Sequence, residues 1–314
     1  MSLTKQPASD FQPVHSSECN QNNQSTYCDY NKAFVGYDQF RQPHGLENIL
    51  NILRQSKVPI DEQNVLEGGF GTGAYLNNIW RHVRMIDGVE GSDEGYQQTL
   101  QKVNNAPNVR LQKGDILQLS FPDNSFHAYM VNQVLHHLDH RNHFQSINVF
   151  LSEAGRVLKP GGQLIINTCS QEQLDPDSGS YWHYKYIYPA AYSIQKRYIP
   201  IQELGIRLES LGFDEFNCTI SPEKIFYQRY YEDPAIALEP EFRKGDSTYS
   251  FLSEEELEKP YRRLRQAIED ESVYEVIKRA TARAAEIGEG VIVSASKPQV
   301  CINNLSKSVN YLLL

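Results

Sequence analysis

Short apolar runs separated by stretches of helical spacing recur through the middle of the chain. Residues 65–67, 85–90, 109–112, 128–132 and 163–167 each read as a brief buried strand, and most of the intervening segments place their apolar side chains three and four positions apart. That alternation predicts a parallel, doubly wound sheet. Two further runs, 213–220 and 290–295, complete the expected fold class. It is α/β, a doubly wound (Rossmann-like), mostly parallel seven-stranded sheet with an N-terminal helical cover and a helical insertion before the last strand.

The flanks read differently. Residues 1–29 are rich in Ser, Gln and Asn and poor in large apolar groups, which predicts a flexible arm. Over residues 30–61 the aromatics Tyr30, Phe34, Tyr37 and Phe40 return at near-helical spacing, and a second helix is expected over 46–53 with Ile49, Leu50 and Leu53 on one face. These helices form a cover that either closes the mouth of the glycine loop described below or packs on the sheet edge. Residues 62–220 form the expected core. Within it a helix over 181–198 would put Tyr181, Tyr184, Tyr188 and Tyr192 on one face, either as an acceptor pocket or as ordinary packing against the sheet. Phe226, Tyr227, Tyr230 and Tyr231 form a second aromatic group. Residues 221–289, with a charged helical stretch over 254–287, are longer than a hairpin needs and read as a helical substrate insertion. Residues 290–297 return as the last strand of the core, and 298–314 are an uninformative tail.

The core is organised around residues 65–76, VLEGGFGTGAYL. An apolar run ends in Glu67 and meets Gly68, Gly69, Phe70, Gly71, Thr72 and Gly73, so a buried strand turns sharply toward a helix expected near Ala74. Glycines let the main chain lie against a ligand, and the bare N–H groups of a first helical turn favour an anionic group. The run also satisfies the dinucleotide fingerprint G-x-G-x-x-G/A. A second acid, Glu90, ends the next strand about 20 residues on, one βαβ step away.

Composition narrows the partners. The chain has 314 residues and a formal charge of −9 with a pI near 5.5, which argues against a nucleic-acid partner, since that needs a basic face. Lys5 is not followed by an apolar run and no stretch approaches the ~20 apolar residues of a spanning helix, so a cytoplasmic protein with no membrane partner is expected. Cys19, Cys28, Cys169, Cys218 and Cys301 are scattered, with no C-x-x-C pair, and predict reduced thiols. His136, His137, His140 and His143 would share a helical face in pairs, but no acid or cysteine is spaced to complete a metal site, so none is expected.

In order and spacing, VLEGGFGTG, GVEGS, GDILQLSFPDNSF, NQVLHHL and EAGRVLKPGGQLII resemble the class I S-adenosylmethionine-dependent methyltransferases, nearest their small-molecule type 11 group. The resemblance is strong over residues 62–170 and weaker at the last strand. It implies that Glu67 orients the methionine part of S-adenosylmethionine while Gly68, Gly69, Gly71 and Gly73 let the backbone approach. Glu90, followed by Gly91, would accept from both ribose hydroxyls. Asp115 and the backbone of Ile116 would meet the adenine, with a turn cap as the alternative role for Asp115. Asn132 and Gln133 would line the methionyl side, and Tyr37 of the cover completes the expected cofactor set. His127, where the family usually has Asp, and Gly91 depart from the family pattern. The 158–162 turn, LKPGG, reads as a helix stop leading into a strand and carries no chemistry.

The implied activity is transfer of a methyl group from S-adenosylmethionine, yielding S-adenosylhomocysteine, to a heteroatom of a small-molecule metabolite by in-line displacement. Ring faces that tolerate positive charge favour N or S over O as acceptor. His136, His137, Tyr184 and Tyr188 are the candidate catalytic residues, and Arg197 and Arg229 candidate carboxylate anchors. Arsenic methylation is disfavoured because Cys169 and Cys218 fall on predicted strands. An NAD(P)-dependent oxidoreductase sharing the glycine loop, and a non-catalytic cofactor-binding protein, are the alternatives.

Overall fold

The computed structural model describes residue 34, residues 36–138 and residues 141–299. The expected arm over 1–29, Tyr30, His140, Cys19, Cys28, Cys301 and all but the first two residues of the tail lie outside the described residues.

In chain order the strands are β1 Asn64–Gly68, β2 Met85–Glu90, β3 Val109–Lys113, β4 Phe126–Asn132, β5 Leu158–Thr168, β6 Asp214–Ile220 and β7 Val291–Ser296. The helices are α1 Leu46–Gln55, α2 Leu76–Ile79, α3 Asp93–Lys102, α4 Arg141–Val157, α5 Tyr188–Gln195, α6 Ile201–Ser210, α7 Arg229–Glu232, α8 Pro240–Lys244, α9 Glu254–Glu269 and α10 Val273–Ile287. The sheet order is β3-β2-β1-β4-β5-β7-β6. β1 to β5 pair in parallel, whereas β7 runs antiparallel between β5 and β6. This mostly parallel, seven-stranded α/β sheet matches the expectation, and its antiparallel β7 departs from the 3-2-1-4-5-6 order of dinucleotide-binding domains.

Alternation along the strands explains why the sheet is covered on both faces. Val65, Met130, Ile165 and Ile292 pack with Ile49, Leu50 and Leu53 of α1 on one side, while their neighbours Leu66, Val131, Ile166 and Val293 pack with Phe150 and Leu151 of α4 and Leu204 of α6 on the other. All these apolar side chains are buried.

Three local expectations change. The helix expected over 181–198 is broken: a 3-10 turn, Trp182–Lys185, precedes α5, whose first turn contains Pro189. Proline lacks the N–H that a continuous helix would need and disfavours a helical residue before it, so the chain restarts there. The charged stretch over 254–287 is two helices, because Asp270 accepts from the Ser272 N–H at 3.0 Å and Glu271 takes a left-handed φ of 63°. Among the described residues the aromatic stretch of the cover forms the 3-10 turn Tyr37–Gln39.

Much of the aromatic excess is core. Trp182, His183, Phe226, Tyr230 and Phe242 pack ring on ring, with Tyr230 stacked on Phe242 at 4.9 Å and on Trp182 at 5.2 Å. This third cluster ties the excursion between β6 and β7 to the segment before α5.

Candidate functional site

The carboxyl ends of β1, β2 and β4 open into a cavity of about 420 Å³. Its wall on one side includes Glu67, Gly69, Gly71, Glu90, Gly91, Asp115, Ile116, Asn132 and Gln133, together with Tyr37 from the cover. Two predicted glycines are elsewhere. A Cβ on Gly68 would stand 2.6 Å from the Tyr129 hydroxyl and one on Gly73, at φ +78°, 2.6 Å from Thr99, so both serve close packing behind the loop.

Three of the loop's N–H groups are used within the protein, which narrows the expected nucleotide or nucleoside cradle toward the nucleoside. Gly69 N–H donates to Val89 O at 2.7 Å, Gly71 N–H to Glu90 Oε2 at 2.8 Å and Gly73 N–H to Phe70 O at 2.8 Å. The helix that follows, α2, has four residues. With the three glycine donors spent inside the protein, the loop suits a neutral nucleoside better than a pyrophosphate.

Glu90 is fixed from two sides, since Oε1 accepts from Ser92 N–H at 2.7 Å while Oε2 holds Gly71 N–H. Burial raises its pKa, against these backbone donors. Each oxygen keeps acceptor capacity for a pair of hydroxyls. On the next strand Glu67 Oε1 accepts from Asn132 Nδ2 at 2.9 Å, whereas Glu67 Oε2 and Asn132 Oδ1 are buried without a hydrogen-bond partner. Burial pushes Glu67 up to about 8. Two orphaned acceptors beside each other await a donor of positive charge, which the methionyl ammonium of S-adenosylmethionine would be. Asp115 uses Oδ1 to cap a turn at Leu117 N–H, 2.9 Å away, so the cap role is realised on a residue that also lines the cavity. Gln133 takes a left-handed φ of 56° at the end of β4, a strained position with no sequence signal, and turns its Oε1 to the Tyr198 hydroxyl at 3.2 Å. These residues fit the implied cofactor.

The cover does close the loop. Thr72 Oγ1 donates to Asp38 Oδ1 at 2.7 Å, and Lys102 bonds both Asp38 and Thr72 O. Phe34 lies 3.3 Å from where a Gly71 Cβ would stand.

The other side of the cavity is lined by Arg41, His44, His136, His137, Cys169, Leu174, Tyr181, Tyr184, Ile194, Tyr198, Ile225 and residues 244–248. His136 and His137 therefore reach the cavity, but not on one helix: they end a 3-10 turn, and α4 starts only at Arg141. Among the described residues no group of His, Cys, Asp and Glu forms a metal site. Burial, reinforced by Arg197 and Arg41, depresses His137 to about 3, and burial first, with the neighbouring His137 and Arg197, takes His136 well down. Burial likewise depresses His44 to about 4. All three imidazoles are neutral at physiological pH.

Tyr184 belongs to the wall, with its hydroxyl 2.8 Å from Thr248 Oγ1. Tyr188 does not. The break at Pro189 turns it out to solvent, 43% exposed and stacked on the exposed Tyr192. Neither arginine anchor holds. Buried Arg197 is spent on the carbonyls of His136 at 2.8 Å and Leu138 at 3.2 Å, and Arg229 donates to Gln39 O at the surface. Cys169 falls one residue past β5 and, contrary to expectation, lines the cavity, where it bonds weakly to Glu289 O and Tyr181; Cys218 is exposed on β6. His127 accepts from Asn64 N–H at the opposite end of β1.

Arg41 and His44 carried no sequence signal. Their placement depends on the bridge between Arg41 and Phe226, supported by Gln42 N–H on Ile225 O at 3.2 Å, which joins the cover to the excursion after β6.

Residues 66–166 match the family described as Methyltransferase domain. A demethylmenaquinone methyltransferase of Tropheryma whipplei is 30% identical over 168 residues, 48% of this chain and 66% of that one. An O-methyltransferase of Pyrenophora dematioidea is 30% identical over 167 residues, 51% of this chain and 58% of that one. The chain thus spans somewhat less than two thirds of either relative. Among solved structures, a protein of Anabaena variabilis described as a methyltransferase from an antibiotic biosynthesis pathway superposes with a TM-score of 0.62 at 18% identity, covering 81% of this chain and 98% of its own. The glycine loop, the paired strand-end acids and the sheet order stand within or beside the stretch, residues 66–166, that matches the methyltransferase-domain family.

Proposed function

We propose that the protein transfers a methyl group from S-adenosylmethionine to a nucleophilic heteroatom of a small molecule, with N or S ahead of O. The observation that carries this reading is the Glu90 carboxylate, clamped by Gly71 and Ser92 N–H groups and opening with Glu67 onto one cavity that also holds an aromatic, partly apolar acceptor side.

In this reading residues 62–220 with 290–297 supply the cofactor half and, through residues 136–198, part of the acceptor half, and residues 221–289 with the cover supply the rest of it. When bound, S-adenosylmethionine supplies an electrophilic methyl group on a sulfonium. The chain's own work is to bind, orient and dry the site. Glu67 and Asn132 take the ammonium, Glu90 the ribose hydroxyls, and Asp115 with Ile116 the adenine edge. Leu174, Ile194 and Ile225 exclude water from the acceptor side, where alignment is the main source of rate.

The choice of acceptor atom follows from the bases present. His137 at about 3 and His44 at about 4 are too weak to withdraw the proton of an alcohol, and burial raises Tyr181, Tyr184 and Cys169, so each keeps its proton. A thioether attacks with a lone pair and needs no base, and an amine must arrive as its free base and release its surplus proton to solvent after transfer. The relatives' printed activities differ in acceptor, so they support methyl transfer without fixing the atom.

The test is calorimetry with S-adenosylhomocysteine and NADH, followed by a methylation screen of amines, thioethers, phenols and carboxylates. Micromolar binding of S-adenosylhomocysteine alone is expected. Preference for NADH would overturn the cofactor assignment, and exclusive methylation of a phenol or carboxylate oxygen the choice of atom.

A further inference from the structure

Arg41 is a cation in the cavity wall that feels the charge of Asp246 but makes no direct ion pair among the described residues. Its Nε donates to Gly245 O at 2.7 Å, and Nη1 and Nη2 have no partner among the described residues. The guanidinium lies over the Phe226 ring, 4.6 Å from its centroid. The adjacent acid is occupied: Asp246 Oδ2 takes His183 Nε2 at 2.9 Å and Oδ1 takes Thr248 N–H at 2.9 Å. Glu289 Oε2 accepts from both Ile225 N–H, at 2.9 Å, and the Tyr231 hydroxyl. No carboxylate among the described residues stands within ion-pair distance of Arg41.

Arg41 is half-buried, and its two terminal nitrogens face the cavity side without a hydrogen-bond partner among the described residues, which leaves them available to an anionic group. Here the backbone holds the side chain in one place. Arg41 bridges Phe226, Tyr227 N–H donates to Phe40 O at 3.1 Å, and the Gly245 carbonyl fixes Nε, which leaves the two terminal nitrogens as a preset fork. A fork of parallel N–H donors matches the two oxygens of a carboxylate. These positioning contacts all come from residues 225–245 or the cover.

We infer that the methyl acceptor carries a carboxylate, which Arg41 receives in a two-pronged hydrogen-bonded pair while the apolar body of the molecule lies against Tyr181, Tyr184 and Ile225. The inference rests on the methyl-transfer reading for the word acceptor, but the anion site itself does not. An amine or thioether nucleophile and a carboxylate on the same small molecule satisfy both readings. Arg41 would also discourage a protonated amine, leaving the free base that attacks.

The experiment measures binding of benzoate and of benzamide, its uncharged isostere, to the full chain with and without saturating S-adenosylhomocysteine, in wild type, Arg41→Lys and Arg41→Gln. Wild type is expected to hold benzoate at least tenfold tighter than benzamide. Arg41→Gln should erase that difference and Arg41→Lys, which keeps the charge and loses the fork, should retain part of it. Melting curves identify a variant that has not folded, and the lysine variant then carries the comparison. Equal affinity for the two probes in wild type, or a benzoate preference that survives in Arg41→Gln, overturns the inference. A tenfold loss of S-adenosylhomocysteine in Arg41→Gln, with 5′-methylthioadenosine and benzoate bound as before, also overturns it and assigns Arg41 to the cofactor's own carboxylate. Benzoate bound through Arg41 by a chain that does not bind S-adenosylhomocysteine upholds the anion site and removes the methyl-transfer reading instead.

Discussion

Asn132 Nδ2 donates to Glu67 Oε1 at 2.9 Å, and the other Glu67 oxygen, buried beside it, has no hydrogen-bond partner. That imbalance makes Glu67 a pH-sensitive group. Folded, it keeps its proton up to about 8 because burial disfavours the carboxylate; unfolded, it releases it near 4.5. Between those values the folded state binds the extra proton, so the contribution of Glu67 to stability is full below about 4.5 and is lost as pH rises through about 8. Glu67→Gln should therefore melt higher than wild type at pH 8.5 and nearly alike at pH 4. Its affinity for S-adenosylhomocysteine should be lower and no longer rise between pH 6 and 8, as it should in wild type. Identical pH dependence of melting in both proteins would remove Glu67 as the source.

Glu90→Ala should weaken S-adenosylhomocysteine by about 1.5–3 kcal/mol, the range for hydrogen bonds to a charged group. It also strands the Gly71 and Ser92 N–H groups, so a lower melting temperature accompanies the lost affinity. Calorimetry that finds the affinity unchanged takes Glu90 out of the site.

The two candidate tyrosines should now part company. Tyr188→Phe, at the surface, should leave melting and turnover as they are. Tyr184→Phe removes the bond to Thr248 Oγ1, which should cost about 0.5–1.5 kcal/mol of stability and change acceptor KM or kcat through the cavity wall. Kinetics of Tyr184→Phe identical to wild type would reduce its hydroxyl to a packing role.

Gly71→Ala and Gly73→Ala separate approach from packing. At Gly73, φ +78° and Thr99 atoms 2.6 Å from the new Cβ predict a loss of about 1–3 kcal/mol in urea unfolding. At Gly71, φ +53°, the backbone strain is shared but the nearest atoms belong to Phe34 at 3.3 Å, so stability should fall less while cofactor affinity falls more. The reverse order would show that Gly73, not Gly71, faces the ligand.

The chain's local chemistry set much of this architecture in advance. Apolar runs of strand length, the acids that end β1 and β2, and the glycines between them belong to contiguous residues, and contiguous residues report their own secondary structure. That Glu67, Glu90, Asp115 and Asn132 line one cavity was legible for the same reason, since they sit at or just past the carboxyl ends of parallel strands wherever such strands form. The restart at Pro189 was also written in the sequence, in a residue that the aromatic period obscured. Other decisions belong to the tertiary structure alone. Arg41 meets Phe226 and Gly245 only because the cover pairs with the excursion after β6; Arg197 turns from a ligand anchor to a clamp only because the carbonyls after His136 lie beside it. Whether a buried charge or ring faces a ligand or its own protein depends on partners distant along the chain, and a periodicity read within one segment contains no information about them.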